Sequence, residues 1–432
     1  MQQKYKILVS AYSCSPYHGS EPGIGWNFTK ALSEFHELHV ITKGNEFKSD
    51  LEKYLEEYPE YKKIKFHYIP MVQNKWLVIV WPPSYYWYYK SWQKKAFALA
   101  KKLDEIENFD IIHQLTQTGF REPGYLWKIK KPFVWGPIGG MEISPWRFLP
   151  TMGLYGFLFF LGRNLTNIFQ LNFSYSLWKA ANANPSHLIA STLDSKLLIK
   201  KYWHRESTII SEVGITNYMG KKKVTCRKKI EKLKIIWSGE HVPRKSLNLL
   251  LNSLALLKDI DFELHVLGNG PQNKKWKMLA KKLKLENQVK WHGWIKRDDS
   301  LKIMSSGHIF CHTSLRDDTA TVTLEALSLG IPIICLDHCG FADVIDQSCG
   351  IKVPVVDPSQ VITEIASSIQ HLYYHEELRQ RLAAGALIRA ENFSWEGKMI
   401  QLNKIYNSLL DINCDQLPSD NTIYTSPFTR NK

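Results

Sequence analysis

Asp317 and Glu325, two carboxylates with seven residues between them, are the side chains whose spacing says most about this chain's chemistry. They lie in SLRDDTATVTLEALSLGIPIICLD, residues 314–337, where Thr319, Ala320, Thr321 and Val322 open the helix that carries Glu325. Unpaired N–H groups at a helix start hold phosphate oxygens, and a carboxylate two turns at most inside reaches ribose hydroxyls. Acidic residues near a helix start are also ordinary caps, so the pair takes its meaning from its surroundings. One neighbour is WSGEHVPRKSLNLLLNSL, residues 237–254, a strand, a loop and a helix with Arg244 and Lys245 in the loop. Two fixed cations where a helix begins suit a diphosphate; a solvated basic loop is the plainer alternative.

A second set lies near the N-terminus. HGSEPGIGW, residues 18–26, joins the first apolar run to a helix; its glycines allow a sharp turn, and the helix start offers N–H groups to an anion. Glu21 in that loop would repel a phosphate, which directs it to sugar hydroxyls instead. WGPIGGMEISP, residues 135–145, is similarly rich in glycine, with Glu142 just beyond. In both places a tight turn at a sheet edge explains glycine equally well. His113 closes the run DIIHQLT at the presumed ligand edge of a sheet, against the commoner fate of a packed histidine. The seven cysteines are scattered; Cys335 and Cys339 are the one close pair, and no second pair or paired histidines complete a zinc site. Reduced thiols in a cytosolic chain, with no bound metal, are the expectation.

The elements that must position these residues follow from periodicity. Short apolar runs alternate with amphipathic helices, the pattern of parallel sheets covered by helices. KILVSAY, ELHVITK, KFHYIPM, DIIHQLT and KPFVWGPIGG read as strands, with SHLIAST and STIISEVG as two more. After the basic stretch KKKVTCRKKIEKLK, residues 221–234, the pattern restarts with KIIWSG, FELHVLGNGP, VKWHGWI, HIFCHTS and IPIICLD. That stretch is the expected junction between an N-terminal domain over 1–215 and a C-terminal domain over 216–395. A last helix is expected over 396–412, and residues 413–432 read as a disordered tail.

With 432 residues, 44% of them hydrophobic and 22% charged, the chain exceeds one core and excludes wholesale disorder. A net charge of +15 attracts phosphates, nucleic acid or anionic membrane surfaces. LYGFLFFLG, residues 154–162, is too short for the roughly 20 residues that span a bilayer. WLVIVWPPSYYWYYKSW, residues 76–92, and FLPTMGLYGFLFFLGRNL, residues 148–165, mix aromatics with basic residues, as a bilayer interface would require. An internal core or subunit contact is the alternative.

Together the motifs resemble the retaining glycosyltransferases of the GT-B fold, specifically the large family four, from about Lys4 to Leu410. The order matches: a glycine-rich first loop, a donor loop from Gly239 to Lys245, a strand ending in Gly268, Asn269, Gly270 and Pro271, then the acidic pair followed by EALSLGIPII. GSEPGIGW and VWGPIGG resemble one subgroup. The resemblance implies two Rossmann-like domains facing each other across a cleft, with the C-terminal helix crossing back to the N-terminal domain. It implies that Lys245, helped by Arg244, neutralises a donor diphosphate and that Glu325 binds the ribose. Thr321 and Val322 would give N–H groups to phosphate, and Asp317 would stand near the donor sugar. Ser20, Glu21 and Gly23 would sit beside the acceptor and diphosphate, and His113 falls in the region of a histidine that contacts the donor sugar. Two departures stand out: Glu240 replaces an expected arginine, and Asp317 is one methylene shorter than the usual glutamate.

The implied activity is transfer, with retained configuration, from a nucleotide sugar to a saccharide or lipid-linked saccharide in surface-polysaccharide or glycolipid assembly. No metal or other cofactor is expected, because Asp317 and Asp318 are adjacent and form no Asp-x-Asp motif. The expected location is cytoplasmic, peripheral on the inner face of a membrane. Rival readings are a catalytically silent nucleotide-sugar-binding relative, a nucleotide-sugar epimerase or a phosphorylase. A nucleic-acid-binding protein using the lysines of 274–284 is set aside, since no nucleic-acid motif accompanies them.

Overall fold

A computed structural model describes residues 3–81, 84–215, 227–228 and 231–411. The expected tail at 413–432 and most of the basic junction lie outside these residues. The chain divides into two compact units, the first drawn from Met1–Met141, Phe169–Glu212 and Trp395–Ile423, the second from Glu142–Ile168 and Val213–Ser394 with the chain end.

The first unit holds a seven-stranded sheet: β1 (Lys6–Ala11), β2 (Glu37–Lys43), β3 (Lys65–Ile69), β4 (Ile111–Thr116), β5 (Phe133–Ile138), β6 (Ser186–Ala190) and β7 (Ser207–Ile209). Their spatial order is β3-β2-β1-β4-β5-β6-β7, and every pairing is parallel. All six residues of β4 and of β5 are buried, whereas edge strand β3 is mostly half-exposed. Continuous apolar runs are what a parallel sheet covered on both faces demands. Leu8, Ile41, Ile112 and Phe133 pack with Trp92, Ala96 and Ala100 of helix Tyr85–Glu107 in one core.

The second unit repeats the plan with six parallel strands: β8 (Leu233–Ser238), β9 (Phe262–Leu267), β10 (Val289–Gly293), β11 (Ile309–His312), β12 (Ile333–Leu336) and β13 (Gly350–Val353). Their order is β10-β9-β8-β11-β12-β13. The sequence pattern had not singled out β13, a four-residue strand with a lysine inside it.

The segment Glu142–Ile168 groups with the second unit, not with the N-terminal span of 1–215 to which the sequence pattern assigned it. Its apolar residues explain why: Phe148, Leu149, Met152 and Phe160 enter the second core. Gly156 permits close approach there, since a Cβ would lie 2.9 Å from Cβ of Pro243.

Helix Trp395–Asp411 belongs to the first unit. Trp395 meets the ring of Phe28 edge-on at 4.9 Å, and Asn403 Oδ1 lies 2.7 Å from His36 Nε2. Buried Lys398 donates to Ser211 O at 2.6 Å and Ser211 Oγ at 2.7 Å. Tyr406 donates to Nδ1 of His113 at 2.7 Å. Replacing Tyr406 with Phe leaves that buried nitrogen without a donor, so urea unfolding should show a loss of about 1–2 kcal/mol. An unchanged midpoint would mean that the ring packing alone fastens the helix.

Candidate functional site

In the second sheet the strand order reverses between β8 and β11, and open parallel sheets bind ligands outside the carboxyl ends of strands at such a point. The loop after β8 carries Arg244 and Lys245; the loop after β11 carries Asp317. The carboxylate of Asp317 takes a hydrogen bond from Arg244 Nη1 at 2.9 Å and is ion-paired with Lys245. Arg244 Nη1 also reaches Arg316 O at 2.9 Å, and Thr313 Oγ1 donates to Lys245 O at 2.9 Å. Burial pushes the Asp317 carboxyl up, but the Lys245 ammonium and the Arg244 guanidinium together hold it well below the carboxylate range. Two cations thus meet one carboxylate at the switch point, and Glu240 of the same loop also acts on Lys245. Glu240, where an arginine was expected, is exposed to solvent.

The glycines after β9 make this arrangement possible. A Cβ at Gly268 would stand 2.1 Å from Gly239 O, and one at Gly270 would stand 2.9 Å from His241 N. Both glycines have positive φ, +112° and +154°. The loop from Gly239 to Lys245 therefore lies directly on the Gly268-to-Pro271 turn, fixed by His241 N donating to Asn269 O at 2.9 Å.

Helix Thr321–Ser328 begins just after Asp317, and no side chain caps it. Its first N–H groups, those of exposed Thr321 and half-buried Val322, point out of the helix start. Glu325, one turn in, is paired with Arg297, whose Nε lies 3.0 Å and Nη2 2.9 Å from Oε1. Burial raises the Glu325 carboxyl while Arg297 opposes the rise. Both residues line a cavity of about 140 Å³ with Gly214, Thr321, Leu324 and Ser328. The structure thus joins Asp317 with Lys245 and Arg244, and Glu325 with Thr321.

Three residues here escaped the sequence reading. Arg297 is visible only through its partner 28 residues away. His312 ends β11, fully buried, with Nε2 3.8 Å from Asp317 Oδ2; burial first, and then Lys245, bring it down to about 3. His241 is buried beside Asn273, and its ring meets those of Trp237, Trp276 and Trp291. The position of His312 at a strand end was the one signal available.

The first unit reverses strand order between β1 and β4. Glu21, in the first turn of helix Ser20–Ser33, bridges the loops that follow these strands: its Oε1 accepts from Thr118 N at 3.0 Å and from Thr118 Oγ1. Its Oε2 is buried without a partner, and burial raises the carboxyl against the pull of Thr118. Ser20 is exposed with φ of 56°. Gly23 is needed where it stands, since a Cβ would meet His18 O at 2.7 Å.

His113 must be reassigned. It is wholly buried, Nε2 lies 2.8 Å from Gly136 O, and Nδ1 is held by Tyr406. The carbonyl fixes the proton on Nε2 and leaves Nδ1 to accept from the phenol. Both nitrogens are engaged inside the first unit, so His113 has none to offer a sugar. Its work is to tie the last helix to β4.

Glu37, His39 and Glu107 bring potential metal-ligand atoms within 4.8 Å of one another. Lys65 and Lys6 already pair with the two carboxylates at 3.1 and 2.9 Å. The group lies at the start of β2, at the opposite end of the sheet from the switch-point loops.

Residues 221–387 match the family described as glycosyl transferases group 1. The fold is GT-B. A glycosyltransferase from Rickettsia africae superposes with a TM-score of 0.63 at 17% identity, covering 94% of this chain and 99% of that one. The Anabaena protein HepE in complex with UDP gives 0.62 at 15% identity, over 94% and 100%. Among curated relatives, an uncharacterized glycosyltransferase of Methanocaldococcus jannaschii is 25% identical over 41% of this chain and 48% of its own length. The O-antigen chain mannosyltransferase B of Escherichia coli is 24% identical over 45% and 52%. The match thus spans about half the length of these relatives. N-acetyl-alpha-D-glucosaminyl L-malate synthase of Bacillus anthracis is 23% identical over 94% of this chain and 98% of its own length.

Buried neutral histidines give the protein a definite acid sensitivity. Burial holds His113 at about 4, below the ordinary 6.5. Between those values the unfolded chain binds the proton and the folded chain does not, so stability falls as pH drops through that window. Each such histidine contributes a slope of up to about 1.4 kcal/mol per pH unit. Urea unfolding across this range should show His113→Gln with a shallower slope than the parent; equal slopes would assign the sensitivity to other groups.

Proposed function

We propose that the chain is a retaining glycosyltransferase that moves a sugar from a nucleotide-sugar donor to a saccharide or lipid-linked saccharide, in surface-polysaccharide or glycolipid assembly. The observation that carries the reading is the pairing of Lys245 and Arg244 with Asp317 at the switch point of the second sheet, beside an uncapped helix start. Breaking the anomeric C–O bond places negative charge on the departing diphosphate. Preorganised cations and N–H dipoles stabilise that charge more as it grows, which is where rate comes from. Lys245, Arg244 and the N–H groups of Thr321 and Val322 are the groups assigned to this work. Glu325, steadied by Arg297, is assigned the ribose hydroxyls, and the cavity they line is assigned the nucleoside. Asp317 holds the two cations in place and takes the position beside the donor sugar.

In the first unit, Glu21 keeps one oxygen without a partner, which suits an acceptor hydroxyl, with Ser20 and Gly23 in the same turn. The cations supply the charge that a metal would otherwise bring, so transfer is assigned a metal-independent, front-face course. The assigned location is the inner face of a membrane, where a lipid-linked acceptor would be met.

Calorimetry with UDP, GDP, ADP, CMP and TDP, each with and without EDTA, tests this reading. One nucleotide should bind regardless of EDTA, and Glu325→Ala should weaken it by about ten- to a hundredfold, the worth of hydrogen bonds to a charged group. If none of the five binds, the donor site is degenerate and the transfer reading falls.

A further inference from the structure

Helix Gly153–Phe173 is built inside out. Its buried face carries Gly156, Phe160, Asn164, Asn167 and Leu171. The asparagines fasten it: Asn164 Nδ2 donates to Ser144 O at 2.8 Å and Oδ1 accepts from Ser144 N at 2.9 Å, while Asn167 Nδ2 donates to Glu142 O at 3.1 Å. The opposite face presents Leu154, Tyr155, Leu158, Phe159, Leu165 and Phe169 to solvent, with Leu154 78% exposed. Phe173, at the end of the same helix, is 72% exposed. An ordinary surface helix buries its apolar stripe and shows its amides to water. A continuous exposed apolar stripe of this extent marks an interaction surface.

Charge says what it meets. From Ile143 to Leu193 there is no aspartate or glutamate, although the chain has 41 acids in 432 residues and a stretch of this length would average about five. Arg147, Arg163 and Lys179 are its charged residues, of which Arg147 and Lys179 are exposed. The other stretch with exposed tryptophans has the same composition: residues 61–103 contain nine lysines and no acid, although Lys63, Lys65 and Lys90 pair with acids of other elements, and there Trp76, Ile79 and Trp81 are exposed. Apolar side chains in a stretch whose own charges are all positive complement an anionic bilayer surface, into which the former dip while exposed cations meet headgroups. No described helix is long and apolar enough to cross a membrane, so this one would lie along it.

We propose that the outer face of helix Gly153–Phe173 is a docking face for anionic lipid, which holds the chain on a bilayer surface. It deepens the lipid-linked acceptor reading, and its geometry stands apart from the donor site.

The test is co-sedimentation of the full chain with vesicles of phosphatidylcholine alone or with one third phosphatidylglycerol. The parent should sediment with the anionic vesicles and stay in solution with the neutral ones, and added salt should weaken the binding. A Leu158→Ser/Phe169→Ser chain should bind the anionic vesicles at least about tenfold more weakly, having lost two apolar insertions. Its thermal unfolding should match the parent's, because both side chains are exposed. Glu325→Ala should sediment like the parent, so a failed donor site and a failed docking face give different results. Parent chain remaining in solution with both vesicles would overturn the proposal, as would a double variant that sediments unchanged. A parent dimer that the double substitution turns into a monomer, without vesicle binding, would make the face a contact between copies and overturn it too.

Discussion

One carboxylate holds two cations where the second sheet reverses its strand order, and much of that unit's local architecture serves this contact. Lys245 is nearly inaccessible, and an ammonium in such a place would lose its charge without an anion beside it. Burial does lower its proton affinity, and Asp317 opposes the change. The loops after β8 and β11 can meet only because their strands are neighbours, and the loop after β8 lies flat only because glycine follows β9. A parallel sheet with a reversal of order is thus the machine that collects positive charge from residues some seventy positions apart.

The first unit solves a related problem with opposite polarity. At its own reversal the bridge between the two loops is an acid, Glu21, and the loop partners are hydrogen-bond donors of Thr118. Two cations meet a carboxylate in one unit, and a carboxylate oxygen stands without a partner in the other.

Most of the architecture was legible from the chain because parallel strands are buried on both sides and stand out as uninterrupted apolar runs between helices. The strand β13 was not, since Gly350 to Val353 is short and includes a lysine. The segment 142–168 was misassigned because sequence order says nothing about which of two cores will accept Phe148 and Phe160. Arg244 and Lys245 were legible as two cations of one loop and Asp317 as half of a pair with Glu325, but not that the two cations close on Asp317, because that contact joins loops some seventy positions apart. His113 was legible only as a histidine at a strand end; the phenol that occupies it comes from a helix 293 residues later. Arg297 was illegible for the same reason, as its meaning lies wholly in a partner distant in the chain.

Helix Trp395–Asp411 supplies Tyr406, Asn403 and Lys398 to residues of the first unit. A ribosome delivers residues 1–212 long before it delivers these, so the first unit must wait, incomplete, while the whole second unit is synthesised. During that interval His36, His113 and the Ser211 carbonyl lack the partners they have in the finished protein. The N-terminal unit is therefore the last to be completed, and a chain that stops short at Ser394 would place its defect near the beginning of the protein.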